Sequence, residues 1–119
     1  MSIGRWTTPI KTLQIPKDFT GYTVVVTIDQ DGTQVTKTNK TSGTAGSDVR
    51  ITKHYNEDGD FDYSEVAVYL SQADTGLFEV GNARIQVRYI DVLGNAKETD
   101  IASMTFGETL LDREIEYGE

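Results

Sequence analysis

Cysteine is absent, which excludes disulfides, thiol catalysis and thiolate metal sites. Proline occurs only at positions 9 and 16, and His54 is the single histidine. No apolar run approaches the roughly 18 residues that span a bilayer. The opening Met1-Ser2-Ile3-Gly4-Arg5-Trp6 lacks the apolar stretch of a secretory leader. Bases are scarce: 11 Lys and Arg stand against 19 Asp and Glu, for a net charge of −8 at pH 7. Phosphate backbones and anionic membrane surfaces both select a basic face, so nucleic acid and membrane are disfavoured as partners. The acids gather in two stretches, 56–65 (NEDGDFDYSE) and 107–119 (GETLLDREIEYGE), leaving the rest near neutral. With 119 residues, 37% of them hydrophobic, the chain is one domain's worth and too apolar to be disordered.

What is present is β chemistry. Threonine is the commonest residue and lies in runs with Val, Ile and Tyr, a mixture that suits a half-buried pleated surface. Turn signals recur at short spacing, among them Asp31-Gly32, Asp58-Gly59 and Gly94-Asn95. A first strand is expected over 10–15; the prolines at its ends cannot donate to a ladder, so it reads as an edge. In the stretch 22–28, Tyr22, Val24, Val26 and Ile28 share one face and form candidate core. A polar strand follows over 33–38 with Val35 its one apolar residue, then a loop over 39–47. Val49, Ile51 and Tyr55 alternate onto one face of the next strand, and Val66, Val68 and Leu70 onto one face of another. Ser71 reads as the N-cap of a short helical turn, with Leu77 and Phe78 packing that turn into the core and Gly81 at its exit. Ala83, Ile85, Val87 and Tyr89 form the inward face of a second clear strand, and 96–106 reads as the last. The expectation is an all-β, immunoglobulin-like β-sandwich of about seven antiparallel strands with one short helical turn. Residues 1–106 form its domain, and 107–119 an acidic C-terminal tail. Leu110, Leu111 and Ile115 suit either a short amphipathic helix or a segment that orders on assembly.

Candidate chemistry is sparse. His54 has no recognisable nucleophile or orienting partner and reads as a solvent-facing strand residue. Asn56, Asp58, Asp60 and Asp62 alternate as hard oxygen ligands do in a calcium loop. Phe61 stands where an EF-hand needs Gly and Ala67 where it needs Glu, so an acidic turn between strands is preferred and no metal ligands are assigned. Gly43 and Gly46 lack the Lys of a phosphate-binding loop. Trp6, Tyr55, Tyr63, Tyr69 and Tyr117 can supply a binding face, against the reading in which Tyr69 flanks a core strand and Trp6 caps one end of the sandwich. No catalytic or cofactor-binding residues are assigned, and the chain is expected to be no enzyme.

Four stretches carry a resemblance. These are Gly4-Arg5-Trp6-Thr7-Thr8-Pro9-Ile10 with Leu13-Gln14-Ile15-Pro16, the run 66–78 (VAVYLSQADTGLF), the run 81–88 (GNARIQVR), and Ile101-Ala102-Ser103 with the later Leu110-Leu111-Asp112-Arg113-Glu114-Ile115. Together, in this order, they resemble the small β-sandwich proteins in tail modules of phages and prophages of Gram-positive bacteria, and are similar to the N-terminal domain of baseplate upper-type proteins. Trp6 stands where that pattern has a small residue, and the acidic loop is longer. The resemblance implies a non-enzymatic structural component of a phage tail or baseplate, made in the bacterial cytoplasm and located in the virion. Its partners would be other virion proteins, with a homo-oligomer or ring in the particle and no cofactor. The edge strand 10–15 and the tail 107–119 are the expected subunit contacts. The alternative is a host-surface or carbohydrate-binding module built on exposed aromatics.

Overall fold

The computed structural model describes residues 3–40 and 48–118. Among the described residues, nine strands and one short helix follow one another: β1 (Ile3–Gly4), β2 (Ile10–Ile15), β3 (Thr23–Gln30), β4 (Thr33–Thr38), β5 (Val49–Tyr55), β6 (Phe61–Tyr69), α1 (Gln72–Gly76), β7 (Gly81–Ile90), β8 (Ala96–Glu98) and β9 (Ala102–Gly107). The larger sheet has the order β1-β9-β7-β3-β4, with β8 also paired to β7; the smaller has the order β2-β6-β5. The protein is all-β with one short helix, and its sheets pack on each other. The two sheets hold six and three strands, against the four and three of an immunoglobulin constant-type domain.

The core follows the period-two pattern. Val24, Val26 and Ile28 of β3, Ala83, Ile85 and Val87 of β7, and Val66 and Val68 of β6 are all buried. Tyr22 and Tyr89 pack against this core half-buried, and Val35 is the one buried apolar residue of β4. Strand β2 is an edge of the smaller sheet, paired on one side to β6, as its flanking prolines imply.

Five expectations are corrected. The acidic stretch is not loop throughout, since β6 begins at Phe61. Tyr55 is exposed: the register shifts between His54 and Tyr55, so Tyr55 pairs with Phe61 and shares the outer face with Tyr63. Leu77 is 59% exposed, whereas Phe78 is fully buried and stacks on Phe106 at 4.5 Å; Thr75 is the other inward residue of the turn. The last strand is broken into β8 and β9, because the Thr99 hydroxyl takes the Val87 N–H that a regular ladder would use. Asn39 is not free loop: its side chain accepts from Val24 N (2.8 Å) and donates to Tyr22 O (3.0 Å), closing the start of β3. The rest of that expected loop, 41–47, lies outside the described residues.

Candidate docking surfaces

Three surfaces stand out, two of which gather side chains that the sequence singled out. The first is the end of the molecule where β3 finishes and β9 runs into the tail. The helix α1 starts there with a capping box: Ser71 Oγ accepts from Asp74 N, and Asp74 Oδ2 accepts from Ser71 N. Such a box holds a single turn that propensity alone would not. Thr75 exchanges two hydrogen bonds with Thr7, donating to its carbonyl (2.8 Å) and accepting from its N–H (3.0 Å). This pins the N-terminal segment to the helix. Burial pushes the Asp74 carboxyl up, but hydrogen bonds from Lys37 and Ser71 outweigh it and hold its pKa below the usual carboxylate value. The Lys37 ammonium lies 2.8 Å from Asp74 Oδ2.

Trp6 joins these pieces. It adopts φ 58°, a left-handed conformation that a bulky residue adopts only under constraint. Its ring lies flat against Gly76, where any Cβ would fall inside the ring's van der Waals surface. Its indole N–H donates to Asp112 Oδ1 at 2.7 Å. The Arg5 guanidinium reaches the same oxygen at 2.5 Å and also donates to the carbonyls of Phe78 and Gly76. Thr109 donates to the Arg5 carbonyl, and the Gln72 amide exchanges two hydrogen bonds with the Ile115 backbone. The tail is thus irregular, with bends, and tied down by polar contacts, with no helix over Leu110–Ile115. Its apolar side chains are left outside. Leu110 is 96% exposed, Tyr117 fully so, and Leu111 and Ile115 are half-exposed, as are Leu77 and Val80 after α1.

The second surface is the opposite end, about 25 Å away along the eight residues of β3. Phe19, Tyr22 and Tyr89 pack edge-on, with centroids 5.0–6.1 Å apart. The Lys17 ammonium sits 4.8 Å from the Tyr22 centroid and 5.9 Å from that of Tyr89. A hydrogen bond with Tyr22 raises the Lys17 pKa against the opposing effect of burial. Lys97 of β8 pairs opposite Tyr89 and so shares its face. Together they line an open polar cleft of about 550 Å³ closed by the hairpin 91–95. In that hairpin Asp91 accepts from the Asn95 and Leu93 N–H groups and from the Asn95 amide, which holds its carboxyl below the usual range, the Asn95 N–H first. The tip presents Val92 and Leu93 to solvent at 88% and 83% exposure.

The third surface is the outer face of the smaller sheet. His54 stacks on Tyr63 (4.6 Å, 7°) with its Nε2 3.1 Å from Glu65 Oε2, and the Arg50 guanidinium lies 4.1 Å over Tyr69. His54 therefore faces outward, half-covered by its cross-strand neighbours. Tyr55 and Phe61 continue the aromatic row. In the acidic turn, Asn56 Oδ1 accepts from Asp58 N and Asp60 N, each at 3.0 Å. The oxygen that leads the calcium-like pattern is thus engaged in shaping the turn. Among the described residues no group of three or more His, Asp or Glu converges on a common point.

The sequence singled out Trp6, Tyr117 and the tail, which the structure brings to one end, and Tyr55, Tyr63 and Tyr69, which it brings to one face. Sequence reasoning missed the Lys17–Tyr22–Tyr89–Lys97 cluster. Its only trace is that Lys17 and Lys97 adjoin predicted strand ends, whose proximity depends on sheet pairing. The chain matches no protein-family model, no curated protein and no solved structure.

Proposed function

We propose that this chain is a non-enzymatic structural part of a phage or prophage particle, in its tail or baseplate, and that it works by docking to other virion proteins. The observation that carries the docking reading is the tail end. Leu110, Leu111, Ile115 and Tyr117 stand out of a segment fixed by Arg5, Trp6 and Gln72, so apolar surface is presented on a held backbone. Exposed apolar groups that are already ordered lose little conformational entropy on binding, which favours association. The phage assignment rests on the four-part sequence resemblance. A sandwich of immunoglobulin-like type is the finer architecture that goes with it. The test is peptide mass spectrometry of purified particles from the strain carrying the gene, with copy number counted against the capsid protein. A copy number at a small multiple of three or six is expected; absence from intact particles overturns the reading.

The second reading, a host-surface or carbohydrate-binding module, is favoured by one observation, the aromatic row of Tyr55, Phe61, Tyr63 and Tyr69 on an outer sheet face. Aromatic faces of this kind stack on sugar rings. Glycan-array binding lost in Tyr63→Ala would establish it, and no binding to any glycan would remove it.

A further inference from the structure

The smaller sheet is narrower than the larger one, with three strands against six, and it leaves one flank of the core uncovered. Its edge strand β2 lies over β7: Leu13 and Ile15 line a cleft of about 250 Å³ with Ile85, Val87 and Ala102. Ala102 pairs with the buried Ile85 and so faces inward, yet it is exposed. Leu13 and Ile15, on the inner side of β2, are only half-buried. The outer edge of β2 is open as well. Leu70 N donates to Pro9 O, which sets the phase of the ladder: the backbone groups of Lys11, Leu13 and Ile15 face β6, and those of Ile10, Thr12 and Gln14 face away. These donors and acceptors have no strand partner among the described residues. Such a row, alternating at strand spacing, is matched by another extended polypeptide. Lys11 adds a charge. It pairs with the buried Val68 and so points inward, half-buried, and no carboxylate lies within ion-pair distance of its ammonium among the described residues. An inward charge on an edge strand resists indiscriminate pairing, because a covering strand would leave it desolvated and alone. It also selects, since a segment with an acid at the facing position completes an ion pair.

We propose that this flank receives an extended segment of another virion protein, which adds to β2 as a fourth strand of the smaller sheet. The free groups of Ile10, Thr12 and Gln14 supply its ladder. The positions facing Ile15 and Leu13 point inward with them and carry aliphatic side chains into the cleft over Ile85, Val87 and Ala102. The next inward position faces Lys11 and carries Asp or Glu. Run antiparallel to β2, the segment reads aliphatic, any residue, aliphatic, any residue, acid. Affinity comes from the ladder and from covering Leu13, Ile15 and Ala102; choice of partner comes from Lys11. The proposal rests on the docking reading above and names the kind of segment that docks.

The experiment is an NMR titration of the isotope-labelled full chain with two capped heptapeptides. Both are threonine throughout except for valine at the second and fourth positions and, at the sixth, glutamate in one and lysine in the other. The glutamate peptide should shift the amide signals of residues 10–15 and slow solvent exchange at Ile10, Thr12 and Gln14. It should bind at least about fivefold more tightly than the lysine peptide, and in Lys11→Glu the order should invert. Thr12→Pro removes an edge donor that makes no bond in the fold, so this variant should stay folded and lose the binding. Thermal melts and the amide spectrum establish that each variant is folded. No shift along β2 at the solubility limit of either peptide, equal binding of the two, or undiminished binding to folded Thr12→Pro would each overturn the proposal. Slowed exchange at the same three amides on concentrating the chain alone would also overturn it, by making a second copy the occupant. Whether the chain is found in particles is measured separately, so a failure of the strand-addition proposal is distinguishable from a failure of the functional reading.

Discussion

The two ends of the molecule are closed by different physics. At the hairpin end the closure is dispersive: three aromatic rings pack edge-on and a lysine lies over two of them. At the tail end it is directional. One carboxylate, Asp112, is shared by an indole N–H and a guanidinium, and a glycine makes room for the indole. Ring clusters tolerate small shifts because each contact is weak and broad. Shared hydrogen-bond acceptors and a glycine contact do not, because a displaced partner loses its geometry outright. The consequence is that substitutions at the tail end should be felt sharply and locally, and those at the hairpin end mildly.

The comparison is broken most severely from inside the core. Phe78, fully buried on Phe106 just behind the tail end, should cost about 3–5 kcal/mol on truncation to Ala, measured by urea unfolding. Next is Gly76→Ala, whose Cβ collides with the Trp6 ring. It should cost about 1–3 kcal/mol through overpacking. In Trp6→Ala the same change should be close to neutral, a coupling that a double-mutant cycle reads directly. Asp112→Ala should cost about 1 kcal/mol, since the Arg5 pair is partly solvated. Its clearer signature is faster amide exchange over 108–116 with the core strands unchanged. Tyr89→Phe at the other end keeps the ring cluster and should change stability by less than about 0.5 kcal/mol. A large loss there would show that its hydroxyl matters as much as its ring.

The smallest effect is a pH dependence. The folded pKa of Asp74 is lowered, so the Lys37 pair and the capping box contribute fully above the ordinary carboxylate value near 4. That contribution is lost as pH falls below it through the folded value, when Asp74 takes up its proton. The change should be under about 0.5 kcal/mol, because burial of the pair opposes the hydrogen bonds that hold the carboxyl ionised. Comparing the fall in melting temperature between pH 5 and pH 2.5 in wild type and Asp74→Asn isolates it, with the shallower fall expected in the variant.

Much of this architecture is legible from residue order, and the boundary of what is legible is physical. Val24–Ile28 and Ala83–Val87 alternate cleanly because both strands lie inside the larger sheet, where one face must be buried. Ser71 and Asp74 announce α1 because a capping box is local. Tyr55 was misplaced because a bulge against β6 moves it across the sheet, and alternation within β5 carries no sign of that. Leu77 and Phe78 are neighbours of like hydrophobicity, and the end of a one-turn helix decides which of them turns inward. The break between β8 and β9 depends on a Thr99 hydroxyl reaching a strand twelve residues back. The tail clasp depends on residues more than a hundred positions apart, Arg5 and Trp6 with Asp112. Of the candidate surfaces, the tail was visible as a charged and apolar stretch, whereas the lysine–tyrosine cleft exists only once β8 is paired to β7.

The measurement that tests the contrast between the two ends most directly is amide hydrogen exchange of Asp112→Ala and of Tyr89→Phe beside the wild-type chain. A directional clasp at one end and a broad ring cluster at the other predict faster exchange over 108–116 in Asp112→Ala and an unchanged pattern in Tyr89→Phe. Unchanged exchange in the tail of Asp112→Ala, or a broad loss of protection in Tyr89→Phe, would contradict it.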